Sequence, residues 1–346
     1  MTRRGLIRAA LIALGIAAGL PARAEPVVEG PAVTWHMSNW GGPGRGNMAG
    51  MEWLVDEVKK RTGGRFDWKI AWGAALSNPK ENLDGVRIGA FESAQICSSY
   101  HPGKNPATTL LDLPFLPIQD LEVMQAVHEA YYAHPVMQKE LARWNALPYA
   151  STLIPAYEFL GRGKPPKTLE DFAGMRVRAL GGMGDAMRIL GAVPTTVPAP
   201  EVYTALERGT MDAVSFAPYA HGAFKTYEVA EWYTTNMALG AAACVVVINR
   251  DAWEALPPQY RTLLTDMKAE QYEVLKKGLQ REDGRFLAIF EKRLQPVTYS
   301  EADRKAFIEK AGHPVWEQWV KDMEAKGLPG RELLDFVLAE AAKARP

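Results

Sequence analysis

The chain has 346 residues, 47% hydrophobic and 23% charged, with 40 basic against 40 acidic side chains. That is an ordinary globular composition with length for about two domains. It offers no basic surplus of the kind a nucleic-acid partner requires.

The first residues read as an address, not as part of the fold. Arg3, Arg4 and Arg8 form a positive start, Ala9 to Leu20 an apolar run, and Ala22 to Ala24 a small-residue cleavage site. The apolar run falls short of the roughly 20 residues that span a bilayer. A cleaved signal peptide over residues 1–24 is the expectation, with an uncleaved anchor as the alternative. "TRRGLIR" (Thr2 to Arg8) fits a twin-arginine export signal as well as the general secretory route. Cleavage would remove four arginines, including Arg23, and leave a net charge of −4. No later segment has the length and apolarity of a membrane span, so a soluble, exported product is expected.

"AVTWHMSNW" (Ala32 to Trp40) predicts a strand and "GGPGRG" (Gly41 to Gly46) a turn. A helix follows, with Met48, Met51, Leu54, Val55 and Val58 on one face and Gly63 as its stop. "FDWKIAW" is a strand, "PKENLDGVRIGA" a short helix and "FESAQICSS" a strand. Such alternation predicts a mostly parallel sheet. "LPFLP" (Leu113 to Pro117) breaks the pattern before a helix over Asp120 to Trp144. "ALPYASTLIPAYEF" (Ala146 to Phe159) reads as an extended crossing, and a second βα series begins near Lys167. "AACVVVIN" (Ala242 to Asn249) is a strongly apolar strand. Pro258 to Arg293 is helical over more than the usual 8–20 residues, as in helices that bridge two lobes.

Enzyme signatures are poor. "GGPGRG" follows a strand and precedes a helix, but Asn47 stands where a nucleotide fingerprint needs its last glycine. "GRGKPP" (Gly161 to Pro166) lacks the first glycine of a phosphate loop and the Ser or Thr that holds magnesium. There is no G-x-S-x-G elbow and no H-E-x-x-H, and the six histidines never fall at metal spacing. No cofactor or metal is expected. Cys97 and Cys244 lie in apolar strand-like runs. Two buried thiols are the plainer reading, although an oxidising compartment permits a disulfide.

"GMRVRALGG" (Gly174 to Gly182) aims Arg176 and Arg178 to the same face of a strand. Arg176 fits an edge position or a surface salt bridge. Arg178 ends the strand before Gly181-Gly182 and a helix starting near Asp185. Ligands of open α/β sheets lie beyond such strand ends, and a guanidinium there matches a carboxylate. Other candidates at strand ends are Asn39 and Trp40; Ser98, Ser99 and Tyr100; Phe216 and Tyr219; and Trp232 and Asn236. Core packing or loop hydrogen bonding would also account for each of them.

From Gly63 to about Pro257 the chain resembles the extracytoplasmic solute-binding proteins of tripartite ATP-independent periplasmic (TRAP) transporters, the dicarboxylate-binding type. The resemblance is carried, in order, by "RTGGR" (Arg61 to Arg65), "ENLDGVRIGAFE", "LPFLP", "KTLEDFAGMRVRALGG", "LGAVPTTVPAPEVYTALERGTMDAV", "TYEVAEWYTT" and "VVVINRDAWEALP". It implies an α/β two-lobe clamp that closes by hinge motion. The expected lobes are residues 25–155 with about 240–282, and residues 156–239 with about 283–346. Arg178 falls on the family's carboxylate-binding arginine, Arg176 on a supporting position, and Gly181-Gly182 on a turn leaving room for the ligand's head. Two departures stand out. Where relatives often read Asp-Gly-x-Glu-Asn, this chain has Asp212-Ala213-Val214-Ser215-Phe216. The frequent polar contact thus becomes Phe216 beside Ser215, and the missing Glu argues against the metal-assisted branch. Some relatives carry a second basic residue about twenty positions before the main arginine. Here that region is Tyr157-Glu158-Phe159 with Arg162 nearby, and Glu158 would oppose a second ligand carboxylate.

The resemblance implies a periplasmic protein that captures an organic acid, with an aromatic or apolar monocarboxylate as one candidate, for delivery to TRAP membrane subunits. Two other classes remain open at this point. One is a ligand-sensing module for a signalling protein. The other is an exported α/β enzyme, for which Glu158 with His221 is the sole acid–base pair available.

Overall fold

The computed structural model describes residues 27–345. The expected signal peptide therefore lies outside the described residues. Eleven strands occur in chain order. They are β1 (Val33–Ser38), β2 (Phe66–Ala71), β3 (Ser93–Cys97), β4 (Ala146–Ser151), β5 (Glu158–Gly161) and β6 (Arg176–Arg178), then β7 (Val193–Thr195), β8 (Ala213–Phe216), β9 (Trp232–Thr234), β10 (Cys244–Asn249) and β11 (Gln295–Val297). They form two sheets, ordered β2-β1-β3-β10-β4 and β11-β9-β5-β8-β6-β7.

The βα alternation yields the parallel pairs β1 with β2 and β3, and β6 with β7 and β8. The crossing strands depart from it. β10 runs antiparallel to β3 and β4, and β5 antiparallel to β8 and β9. The chain leaves the first sheet from β4 straight into β5 and returns from β9 to β10, with no helix to reverse its direction. Antiparallel insertion is what a direct passage produces.

That insertion also settles the cysteines. Cys244 pairs in register with Cys97 across β10 and β3. Their Cα atoms are 4.0 Å apart and the two are joined as a disulfide. The expectation of two free thiols is thus corrected. The pairing depends on a register between strands 147 residues apart, which local sequence does not display.

The helix Ala49–Arg61 buries Met51, Leu54 and Val58 and stops at Gly63 and Gly64, both at positive φ. It crosses the long helix Lys268–Arg293 at very close range. A Cβ on Gly50 would stand 2.6 Å from the Gln271 carbonyl oxygen, and one on Gly278 2.6 Å from Ala49 Cβ. Gly50→Ala meets backbone that has nowhere to go. We expect a loss of about 1–3 kcal/mol, visible as a lowered melting temperature, and an unchanged value would show that the crossing yields freely.

Two expected helices are subdivided. Asp120 to Trp144 becomes Leu121–Ala133 and Pro135–Ala142. Proline 135 cannot donate to the preceding turn and forces His134 to an extended conformation. Pro258 to Arg293 becomes Pro258–Asp266 and Lys268–Arg293, parted only at Met267.

The long helix serves both sheets. Tyr272, Leu275 and Leu279 enter the main core, while Phe286 and Phe290 join Leu160, Tyr233 and Leu294 in a separate cluster under the second sheet. The chain then turns back. The helix His313–Ala325 reaches the first half through Trp319, whose indole N–H donates to Thr109 Oγ1 at 2.8 Å. The helix Gly330–Ala344 lies along Leu121–Ala133, with the Phe336 ring 4.9 Å from His134. Residues 313–344 therefore do not pack wholly with the second sheet, as the assignment of all of 283–346 to one lobe would require.

Candidate ligand-binding site

β6 is three residues long and lies between β7 and β8. Its two arginines part ways. Arg176 is exposed, and its guanidinium forms a forked ion pair with Asp212 on the neighbouring strand edge. Arg178 is 1% exposed. Its Nε donates to the Val197 carbonyl at 3.2 Å and its Nη1 to the Ser215 carbonyl at 2.8 Å. Its guanidinium carbon stands 4.2 Å from the centre of the Phe216 ring, a cation–π contact. No carboxylate pairs with it among the described residues, and Nη2 has no partner there. Three supports thus fix the fork and leave one edge free. A charge so deeply buried without a counter-ion is costly unless a ligand supplies one.

Arg178 lines a small cavity of about 20 Å³ between the two halves. Trp40, Tyr100 and the Cys97–Cys244 disulfide line it from the first half, and Phe216, Tyr219 and Phe224 from the second. Among the described residues no Asp or Glu lines it, and the charged lining residues are Arg45 and Arg178.

The aromatic walls form a stack across the cleft. Phe224 lies parallel to Phe216, 5.4 Å away and 16° off, and to Trp40, 6.2 Å away and 14° off. Tyr100 sets its edge against Trp40, and its hydroxyl accepts from the Ala199 amide at 3.1 Å, joining the halves. Tyr219 is placed by Asp283 of the long helix, which accepts from the Tyr219 amide at 2.8 Å. Burial pushes the Asp283 carboxyl up to about 6 and the Tyr157 phenol beside Arg178 up to about 12; both groups stay polar but reluctant to ionise.

Of the residues expected from sequence, Arg178, Phe216, Tyr219, Trp40 and Tyr100 meet here. Ser215 supports from behind. Its carbonyl holds Arg178, and its hydroxyl donates to the Arg178 carbonyl at 2.9 Å. Asn39 is spent within its own turn. It donates to Gln95 Oε1 at 3.0 Å and accepts from the Gly41 amide at 2.7 Å. Ser98 donates to Asp112 at 2.6 Å, and Ser99 lies buried beside it. Neither lines the cavity.

Three candidates, and the glycine pair, are corrected outright. Glu158 does not face the cavity. Its carboxylate accepts from Thr234 Oγ1 and the amides of Met237 and Ala238 at 2.6–3.0 Å, fixing the turn after β9. Trp232 packs its ring on Gly161, where a Cβ would stand 2.2 Å from it, and its indole donates to the Arg162 carbonyl. Asn236 exchanges two hydrogen bonds with the Tyr299 backbone. All three hold the far edge of the second sheet. Gly181 and Gly182, which open the helix Gly181–Ile189, lie against Asp112, Leu113 and Pro114 and not against the ligand space.

The residues missed are Arg45, Tyr157 and Phe224. Arg45 was legible as a cation in a glycine turn just past a strand end. Phe224 had no local mark, since only the fold brings it over the cleft.

The Glu158–His221 pair is not an acid–base pair. His221 Nε2 donates to the Glu158 backbone carbonyl at 3.0 Å, and Nδ1 meets Thr226 Oγ1 at 2.7 Å. Burial pushes its imidazole down to about 3, so it stays neutral. Among the described residues, no group of three or more His, Cys, Asp or Glu is placed to hold a metal ion.

Asp112 is a fully buried carboxyl at the seam. Its Oδ1 accepts from Ser98 and from the Ala243 amide, and its Oδ2 has no partner. Burial pushes it up to about 7. Between about pH 4 and 7 the folded chain holds a proton that the unfolded chain has released, so this group's contribution to stability falls as pH rises through that window. Asp112→Asn keeps the acceptor and removes the charge. Its melting temperature relative to the parent should rise between pH 5 and pH 8; a difference constant with pH would refute the assignment.

Two α/β halves meeting at an aromatic-walled cavity lined by a buried arginine make the arrangement of a solute-binding protein. A family model for bacterial extracellular solute-binding protein, family 7 (DctP), matches residues 40–322, and the chain belongs to that family, whose members bind solutes for transport in the periplasm. It is 26% identical over 279 residues to the 2,3-diketo-L-gulonate-binding periplasmic protein of Escherichia coli, covering 78% of this chain and 81% of that one. It is 26% identical over 313 residues to a monocarboxylate 2-oxoacid-binding periplasmic protein of a Nostoc species, covering 84% of each. Its fold matches that of a TRAP solute-binding protein from Rhodoferax ferrireducens in complex with benzoate, with a TM-score of 0.81 at 23% identity over 90% of this chain and 98% of that one.

Proposed function

We propose that this chain, exported through a cleaved signal peptide over residues 1–24, captures a carboxylate with an aromatic or apolar body and hands it to TRAP membrane subunits. One observation carries the reading. The buried Arg178 fork offers its free edge to a cavity walled by Trp40, Phe216 and Phe224 and lined by no acid. The ligand's carboxylate supplies the missing counter-charge, and its body fills the aromatic stack. The benzoate held by the Rhodoferax protein is in keeping with such a body.

The two halves form the clamp, divided near residues 155, 240 and 282, with the helices of residues 313–344 strapped across both. Ligand bound in the open form draws the halves together. Tyr100 then meets Ala199, and Trp40 meets Phe224. The ligand shifts the population by as much as it binds the closed form better.

A thermal-shift screen of mono-, di-, keto- and aromatic acids tests the reading. A ligand at about 1,000 times its Kd adds about 4 kcal/mol of stability. Aromatic carboxylates should give the largest rises. A screen in which only sugar acids or keto acids respond would overturn the aromatic reading.

A further inference from the structure

Arg45 is the second cation of the cavity and the only one contributed by the first half. It ends the glycine turn after β1. A Cβ on Gly41 would stand 3.2 Å from Arg45 Nη1, so the bare glycine gives the guanidinium its room. The side chain is half-buried. Its guanidinium carbon lies 3.9 Å from the centre of the Phe224 ring. Among the described residues it has neither an ion-pair partner nor a side-chain hydrogen bond. Glu52, on the helix that follows, uses its Oε1 to accept from the Gly44 amide at 2.7 Å. Burial pulls the Arg45 guanidinium down to about 10, the direction of a cation short of counter-charge.

Compare the other half-buried arginine of this region. Arg61 meets Glu57 and Glu270. Arg45 is held over a ring face instead, in the lining of a cavity that no acid lines among the described residues. One ligand carboxylate would answer Arg178 and leave Arg45 uncompensated, which is costly in a closed, low-dielectric site. Glu158, the residue expected to repel a second ligand carboxylate, is locked into the turn after β9 and faces elsewhere.

We propose that the ligand is an aromatic acid bearing a second anionic group, with Arg178 of the second half holding one anion and Arg45 of the first half holding the other. This rests on the aromatic-carboxylate reading above and replaces one acidic group by two. Because the cations come from opposite halves, each end of the ligand grips one half. Only a molecule long enough to reach both stabilises the closed form fully. Each guanidinium lies over a ring of the stacked Phe216–Phe224 pair, so the two cations are carried on one aromatic wall of the cavity.

Calorimetric titration of the exported protein with benzoate, benzene-1,3-dicarboxylate and benzene-1,4-dicarboxylate tests this. In the parent, at least one diacid should bind 10-fold or more tighter than benzoate. In Arg45→Gln that preference should collapse toward equality. If Arg45→Gln lowers the melting temperature, Arg45→Lys, which keeps the charge, carries the test and should retain part of the preference. Benzoate bound as tightly as either diacid, or a preference untouched by Arg45→Gln, overturns the inference and leaves the aromatic-carboxylate reading intact. Binding of none of the three overturns both.

Discussion

Arg178→Lys should weaken binding of the best aromatic carboxylate by about 100-fold while the protein still folds. Lysine keeps the charge but not the fork. Arginine in this position does several things at once. It satisfies the Val197 and Ser215 carbonyls, lies over Phe216 and still presents a free edge. An ammonium offers three donors from one point and cannot serve two carbonyls and a carboxylate in the plane of a ring. Losing a bidentate, charge-assisted pair in a desolvated site costs about 2–3 kcal/mol, hence the factor expected. Isothermal titration measures it directly, and circular dichroism confirms the fold. Affinity within 3-fold of the parent would remove Arg178 from the ligand's first contacts. Arg178→Ala is the less clean variant, since it also strands two carbonyls.

The second large effect concerns the disulfide. Replacing Cys97 and Cys244 by serine should lower stability by about 5 kcal/mol, a fall in melting temperature on the order of 10 °C. The magnitude follows from the 147-residue separation that the bond closes, because the freedom it removes from the unfolded chain grows with loop length. The residues face each other across paired strands in any case, so the folded geometry changes little. Calorimetry of the oxidised parent, the reduced parent and the double variant decides the matter. Equal melting temperatures in all three would mean that the bond contributes nothing.

The sequence was most legible where chemistry is written in one short stretch. The alternation of "GMRVRALGG" put both arginines on one face, and the glycines marked a strand end; the separation of Arg178 from Arg176 then rested on the resemblance. The structure supplies the physical ground. Asp212, one strand away, neutralises Arg176, and no acid among the described residues pairs with Arg178. Legibility ended where a residue's meaning depends on register or on a remote partner. Cys97 and Cys244 looked like packing thiols because each sits in an apolar run. Glu158, Trp232 and Asn236 were placed at strand ends as expected, yet each found donors or ring faces on the distant side of its own sheet. Arg45 was passed over because its turn was weighed only as a nucleotide loop. A cation beside four glycines past a strand end is an anion site candidate in its own right.

The helix Lys268–Arg293 has 26 residues, a rod of about 39 Å. Its first turns are set into one core and its last turns into another. The C-terminal helices and the extended crossings also join the halves; the crossings bend readily, whereas a hydrogen-bonded rod does not. Such a spine leaves the pair of halves few ways to move. Twisting or sliding would have to tear one end of the rod from its bed, while folding like the covers of a book needs only gentle flexure along its length. Grip on the ligand and the outward shape offered to a membrane partner then vary along a single coordinate.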